Sequence, residues 1–158
     1  MADRVGKKFE VKFREDFLKI PNSTIDRLYD TTNGFKSITQ IADYIGYKKP
    51  NIFYLEVKTH AGNTFPFSCL SQYEKLLAKC GIEGVRVGVV LWLYDHDAVM
   101  YVPISSIRQM KEDGLKSINI KMYNDDNPKY KIIKIPSVKK KVFMDSDYTV
   151  LLGLNEGD

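Results

Sequence analysis

Ala42-Asp43-Tyr44-Ile45-Gly46-Tyr47-Lys48-Lys49-Pro50-Asn51-Ile52-Phe53-Tyr54-Leu55-Glu56-Val57-Lys58 is the stretch on which the fold of this chain turns. Residues 37–47 and 52–59 are rich in β-branched and aromatic side chains, and both read as strands. Between them, Lys48-Lys49-Pro50-Asn51 carries a Pro-Asn turn signal. A turn centred between Lys49 and Pro50 sets Asp43 opposite Glu56, with Cβ atoms roughly 4.5–5.5 Å apart. Side chains alternate along a strand, so Glu56 and Lys58 share a face about 6.6 Å apart. The pattern predicts a hairpin that gathers Asp43, Glu56 and Lys58 on one side. A slip of one residue would scatter them.

Two carboxylates set directly opposite each other repel, and a sheet gains nothing from the pairing. A hard divalent cation such as Mg²⁺ reverses the sign, because it takes oxygen ligands and keeps waters or substrate phosphate in the rest of its shell. Such an ion activates a water and stabilises charge on phosphoryl oxygens. Lys58 is placed to orient that water or to neutralise the transition state. An isolated Asp…Glu-x-Lys pattern also fits ordinary surface charge bridged by the lysine. The hairpin register and the surrounding sequence favour the site.

At 158 residues the chain is long enough for one domain with a real core and short for two. Its 44% hydrophobic and 28% charged residues are ordinary for a soluble globular protein. No apolar run approaches the roughly eighteen residues of a membrane span. Met1-Ala2-Asp3-Arg4 leads into a charged segment and not a signal core, so a cytoplasmic location is expected. Two thiols, Cys69 and Cys80, make no zinc site and are expected to be reduced. The net charge of +4 permits a polyanionic partner without requiring one. Its distribution says more. Residues 121–142 hold seven lysines against two aspartates, interleaved with Tyr123 and Tyr130, while the charged residues of 143–158 are all acidic. That pattern fits phosphate contact somewhat better than a plain solvated face.

Elsewhere, Phe9, Phe13, Phe17 and Ile20 predict an amphipathic helix over 6–20, with Glu10 beside the apolar stripe and Pro21-Asn22 ending it. Residues 23–30 read as a strand and Thr31-Thr32-Asn33-Gly34 as a turn. Leu70, Tyr73, Leu76 and Leu77 predict a helix over 68–80. Residues 85–94 form a nearly continuous apolar run, expected as a central strand covered on both faces. Asp95-His96-Asp97 reads as a tight turn, since three successive turn residues do not converge on a metal. A strand over 98–102 and a helix over 105–112 follow, with strands possible at 118–123 and 130–135. The order predicts an α/β fold, a mixed central sheet flanked by helices. The chain carries no Gly-rich phosphate loop, nucleophile motif or zinc-ligand spacing.

A helix with an internal Glu, a strand bearing Asp, a hairpin strand carrying Glu-x-Lys and a following helix together resemble the PD-(D/E)xK nuclease superfamily. Within it the chain looks most like RecU-type Holliday junction resolvases. The resemblance rests on Gly6-Lys7-Lys8-Phe9-Glu10, Tyr54-Leu55-Glu56-Val57-Lys58-Thr59, Phe65-Pro66-Phe67, Gln72 and Gly114-Leu115-Lys116-Ser117-Ile118. It covers residues 6 to about 118. It implies a restriction-endonuclease-like core in a single nuclease domain over 1–158, with 119–158 as a basic extension. It also implies a homodimer that binds four-way DNA junctions, each subunit cutting one strand with Mg²⁺ or Mn²⁺. By matching, Asp43 and Glu56 would be metal ligands, helped by the Val57 carbonyl. Lys58 would act on the attacking water, with Glu10 and Gln72 as supporting residues. Lys139, Lys140 and Lys141 are expected to contact DNA, joined by Lys48 and Lys49 at the hairpin turn. Ala42 stands where the superfamily name has Pro. Only about a dozen residues separate the first strand from Asp43, so the stalk of bacterial members must be reduced, which suggests a phage-encoded enzyme.

Overall fold

Phe9, Phe13 and Phe17 are fully shielded from solvent along one stripe of α1 (Ala2–Phe17). The computed structural model describes residues 4–29 and 41–158 in full, with the backbone alone of 2–3, 31–33 and 36–38. The helix starts earlier than its apolar repeat and stops at Phe17, three residues before the expected end. From there the chain tightens into short-range bonds, Lys19 N–H to the Asp16 carbonyl and Ile20 N–H to the Phe17 carbonyl.

β1 (Thr24–Arg27) is followed by β2 (Thr31–Asn33) and β3 (Lys36–Ile38), an antiparallel pair standing apart from the main sheet. Thr31–Asn33, read from sequence as part of a turn, is therefore strand; Gly34 lies outside the described residues. β4 (Tyr44–Lys48) and β5 (Asn51–His60) form the central hairpin, with Tyr44 opposite Leu55 and Lys48 opposite Asn51. That is the expected register, turned at Lys49-Pro50. The first strand of the hairpin is shorter than the 37–47 expected. The ladder stops at Tyr44 because the Asp43 side chain, and not a continuing backbone, accepts the Val57 N–H.

After β6 (Thr64–Pro66) comes a 3₁₀ turn over Phe67–Cys69 and then α2 (Tyr73–Leu77). The helix expected over 68–80 is broken because Leu70 leaves helical backbone (φ −106°, ψ 78°) to bury its side chain. β7 (Val85–Leu93) and β8 (Ala98–Pro103) complete the centre of the sheet, and α3 (Ile104–Glu112) follows. β9 (Ser117–Asn119) gives way to α4 (Ile120–Asn124), where a strand through 123 was expected. The Asn119 side chain accepts the Lys121 N–H and starts the helix. β10 (Ile133–Lys134), β11 (Ser137–Lys139) and β12 (Met144–Ser146) end the series.

The main sheet runs β1-β4-β5-β7-β8-β10, with β5 and β7 parallel and the other neighbours antiparallel. It is the mixed sheet expected. Along β7 every residue from Arg86 to Leu93 is buried, as a strand covered on both faces requires. One face packs α1 through Phe13, Phe53, Leu55, Val57 and Trp92, joined by Tyr148 and Leu151 from the C-terminal segment. The other packs α2 and α3 through Leu76, Val89, Leu91, Met100, Ile107 and Met110. Gly46 brings α1 close to β4, since a Cβ there would lie 3.0 Å from the Phe17 ring. Among the described residues no helix is long and apolar enough to cross a membrane.

Candidate active site

Asp43 sits where β4 begins, and Glu56 lies across from it on β5. Their link is reciprocal. The Asp43 N–H donates to Glu56 Oε2 at 3.1 Å, and Asp43 Oδ2 accepts the Val57 N–H at 2.9 Å. Both carboxylates thus accept from backbone donors that are held in place by the strands. Lys58, two residues along the same face, brings its Nζ to 2.9 Å from Glu56 Oε1. That contact is a short ion pair, and it is the partner of the buried Glu56 Oε1 among the described residues. The hairpin therefore gathers Asp43, Glu56 and Lys58 as its register predicts.

Glu56 is completely buried. Burial, and then the neighbouring Asp43 carboxylate, push its pKa up to about 7. Lys58 is also raised: its own burial works against the charge, and Glu56, Asp43 and Glu10 more than restore it. An ammonium beside a reluctant carboxylate is therefore the resting state.

Glu10 reaches the same place from α1. Its pKa is raised, first by burial and then by Asp43, against the pull of Arg27 and Lys58. Arg27, on β1, holds the group together. Its guanidinium lies 3.1 Å from Asp43 Oδ1 and 3.3 Å from Glu10 Oε2, and it stacks 5.3 Å from the Tyr44 ring. The Tyr44 hydroxyl donates to the Glu10 carbonyl at 3.4 Å, tying α1 to β4. Sequence reasoning missed Arg27. Its signal was a cation two residues beyond the inward-facing Ile25, on a strand whose pairing partner the sequence did not fix.

The remaining expected residues are placed less uniformly. Gln72 is buried at the start of α2, where its Oε1 accepts the Ser71 hydroxyl. Among the described residues no hydrogen bond links it to Asp43, Glu56 or Lys58. Lys48 and Lys49 lie at the turn of the hairpin, and Lys48 Nζ bonds the Pro21 carbonyl at 2.6 Å. Five residues of β5 separate that end from Glu56, about 17 Å. Lys139, Lys140 and Lys141 are exposed at the β11–β12 hairpin, although Lys139 is paired with Asp97 at 2.6 Å.

The donor set suits a hard cation. Among the described residues no three His, Cys, Asp or Glu side chains converge as a metal cluster. Two carboxylates with a backbone carbonyl are what a Mg²⁺ site with several waters needs. Within an antiparallel pair a residue's N–H and C=O point to the same edge, so the Val57 carbonyl faces the Asp43 side as its N–H does. Glu56 gains from a cation, since burial and the facing Asp43 carboxylate disfavour its charge even with Lys58 beside it.

No family model matches the sequence, and no curated protein matches it significantly. Among solved structures it is similar to that of Archaeoglobus fulgidus Hjc, a Holliday junction resolvase from an archaeal hyperthermophile. The TM-score is 0.55 at 20% identity, over 75% of this chain and 92% of that one. At that identity the likeness is one of architecture: the chain has the restriction-endonuclease-like α/β fold that its Asp…Glu-x-Lys hairpin implies.

Proposed function

We propose that this chain is a divalent-metal-dependent endonuclease that resolves four-way DNA junctions by paired strand nicks. The observation that carries the reading is the buried carboxylate pair Asp43–Glu56 with the Lys58 ammonium 2.9 Å from Glu56 Oε1. Nothing in a stable sheet calls for such a pair, whereas hydrolysis of a phosphodiester does. The Hjc likeness supports a resolvase reading at the level of the fold. The narrower RecU type and a phage origin rest on the sequence resemblance alone.

Asp43, Glu56 and the Val57 carbonyl would hold Mg²⁺ or Mn²⁺, which when bound supplies an activated water and neutralises phosphoryl charge. The protein's own groups do the rest. Backbone N–H donors hold each carboxylate in one orientation, so little reorganisation is needed on binding. Lys58 stays protonated through its acidic neighbours and acts as a fixed cation beside the phosphoryl oxygens and the attacking water. Glu10 and Arg27 close the site from α1 and β1. Gln72 is assigned a supporting role on the sequence resemblance alone. Two nicks need two sites, so the working form is a homodimer in the cytoplasm, one nuclease domain per chain. Lys139–Lys141, with Lys48 and Lys49, contact the DNA arms.

Incubation of synthetic four-way junctions, linear duplex and single strands with Mg²⁺ tests the reading. Symmetric nicks confined to the junction are expected. Uniform duplex cutting would point to another endonuclease of the superfamily, and tight binding without cutting to a non-catalytic DNA-binding module. Sedimentation at working concentration should show a dimer; a monomer would contradict that part.

A further inference from the structure

Beside the carboxylate group a cleft of about 600 Å³ opens between α1 and β1. It shares Glu10, Arg27 and Tyr44 with the site, and adds Lys7, Arg14 and Tyr29. Tyr29 is the most exposed large hydrophobic side chain of the described residues, at 74%. Its ring stands 5.6 Å from the Arg27 guanidinium, which also touches Asp43. Lys7 and Arg14 lie seven residues apart on α1, on one side of the helix and about 10 Å apart along it. Neither makes an ion pair among the described residues, unlike Lys12 on the neighbouring stripe. Among the described lining residues Glu15 is the one acid beyond Glu10, against Lys7, Arg14 and Arg27.

An exposed aromatic face beside an arginine, with cations along one wall, is how proteins hold a single nucleic-acid strand. A continuous duplex offers no free base face, because its bases are stacked. A branch point does. We infer that this cleft takes an unstacked base from the branch point of the substrate, stacked on Tyr29, while Lys7 and Arg14 contact phosphates of the same strand. Tyr29 is then a specificity-determining residue: it ties cleavage at Asp43–Glu56 to branched DNA. The inference rests on the endonuclease reading and adds the base that the site selects.

The test uses full-length protein without divalent metal, so that DNA is bound and not cut. A four-way junction carries 5-iodouracil at the branch point, and a duplex of the same sequence carries it at a paired position. After irradiation, mass spectrometry should find the junction base crosslinked to Tyr29 and the duplex base not. Tyr29→Ala should weaken junction binding roughly 5- to 100-fold and lower the junction-to-duplex ratio, whereas Tyr29→Phe keeps both. Equal loss on junction and duplex, or crosslinks confined to other residues, would overturn the inference while leaving the endonuclease reading in place. A wild-type protein that neither binds nor cuts any DNA overturns both.

Discussion

Asp16 and Glu56 are buried to the same degree, 2% and 0% exposed, and their surroundings are opposite. Asp16 Oδ1 meets Lys12 at 2.7 Å and Lys19 at 2.9 Å, and its Oδ2 accepts the Ser146 N–H at 2.9 Å. Asp145 shares the same lysines, which hold its carboxyl below the usual range. Every oxygen of Asp16 has a partner, and the network fastens α1 to β12. Glu56 has a backbone donor on one oxygen, a single ammonium 2.9 Å from the other and a second carboxylate opposite that helps push its pKa up. One arrangement is complete as it stands. The other gains from an added cation. On the proposed reading the contrast separates an acid kept for stability from an acid kept for chemistry, on groups of equal burial in one small protein.

Breaking the contrast should give opposite results at the two ends. Glu56→Gln should lower Mg²⁺-dependent junction cleavage by about 10³-fold or more, the scale of losing a principal electrostatic group. The same change should raise the Tm of the metal-free protein at pH 8 by a few degrees, because it removes a charge the fold disfavours. A drop in Tm would place Glu56 among the structural acids. Asp16→Ala should do the reverse, costing about 3 kcal/mol, or about 6–12 °C of Tm for a chain of this length. Cleavage per folded molecule should stay close to wild type, measured well below that Tm.

The pH dependence sharpens the same comparison. Glu56 has a folded pKa of about 7, above its ordinary value of 4.5, so the folded state holds more protons between the two. Its contribution to stability is full below pH 4.5 and is lost as pH rises through about 7. Asp145 has the opposite sign, since its depressed pKa gives stability that is lost as pH falls. Thermal melts of the metal-free protein from pH 5 to 8 should therefore fall in Tm. Glu56→Gln should flatten that fall, and an unchanged slope in the variant would contradict the assignment. The smallest effect concerns the tail lysines. Lys139 is already paired with Asp97, so replacing Lys139, Lys140 and Lys141 together should reduce the salt slope of DNA binding by about 1–2. An unaltered slope would remove them from the DNA path.

Much of this was legible in sequence because it is local. The Pro-Asn turn and the alternation of the flanking strands define the register, and the register brings Asp43, Glu56 and Lys58 together. Phe9, Phe13 and Phe17 mark the buried face of α1 by spacing alone, and Glu10 follows from its place on that helix. What was hidden depends on distant pairings. Arg27 reaches Asp43 only because β1 lies antiparallel to β4, across a long connection that sequence leaves open. The short helix α4 had a local signal in Asn119, overridden in the sequence reading by the β-branched residues of 118–120.

Metal binding itself tests the contrast most directly. Mn²⁺ titrated into the protein at pH 7.5, followed by calorimetry or by loss of the free-ion EPR signal, should show saturable binding in wild type and in Asp16→Asn. Asp43→Asn and Glu56→Gln should each abolish it. Saturable binding that survives both of those changes would contradict the assignment of Asp43 and Glu56 as the metal site.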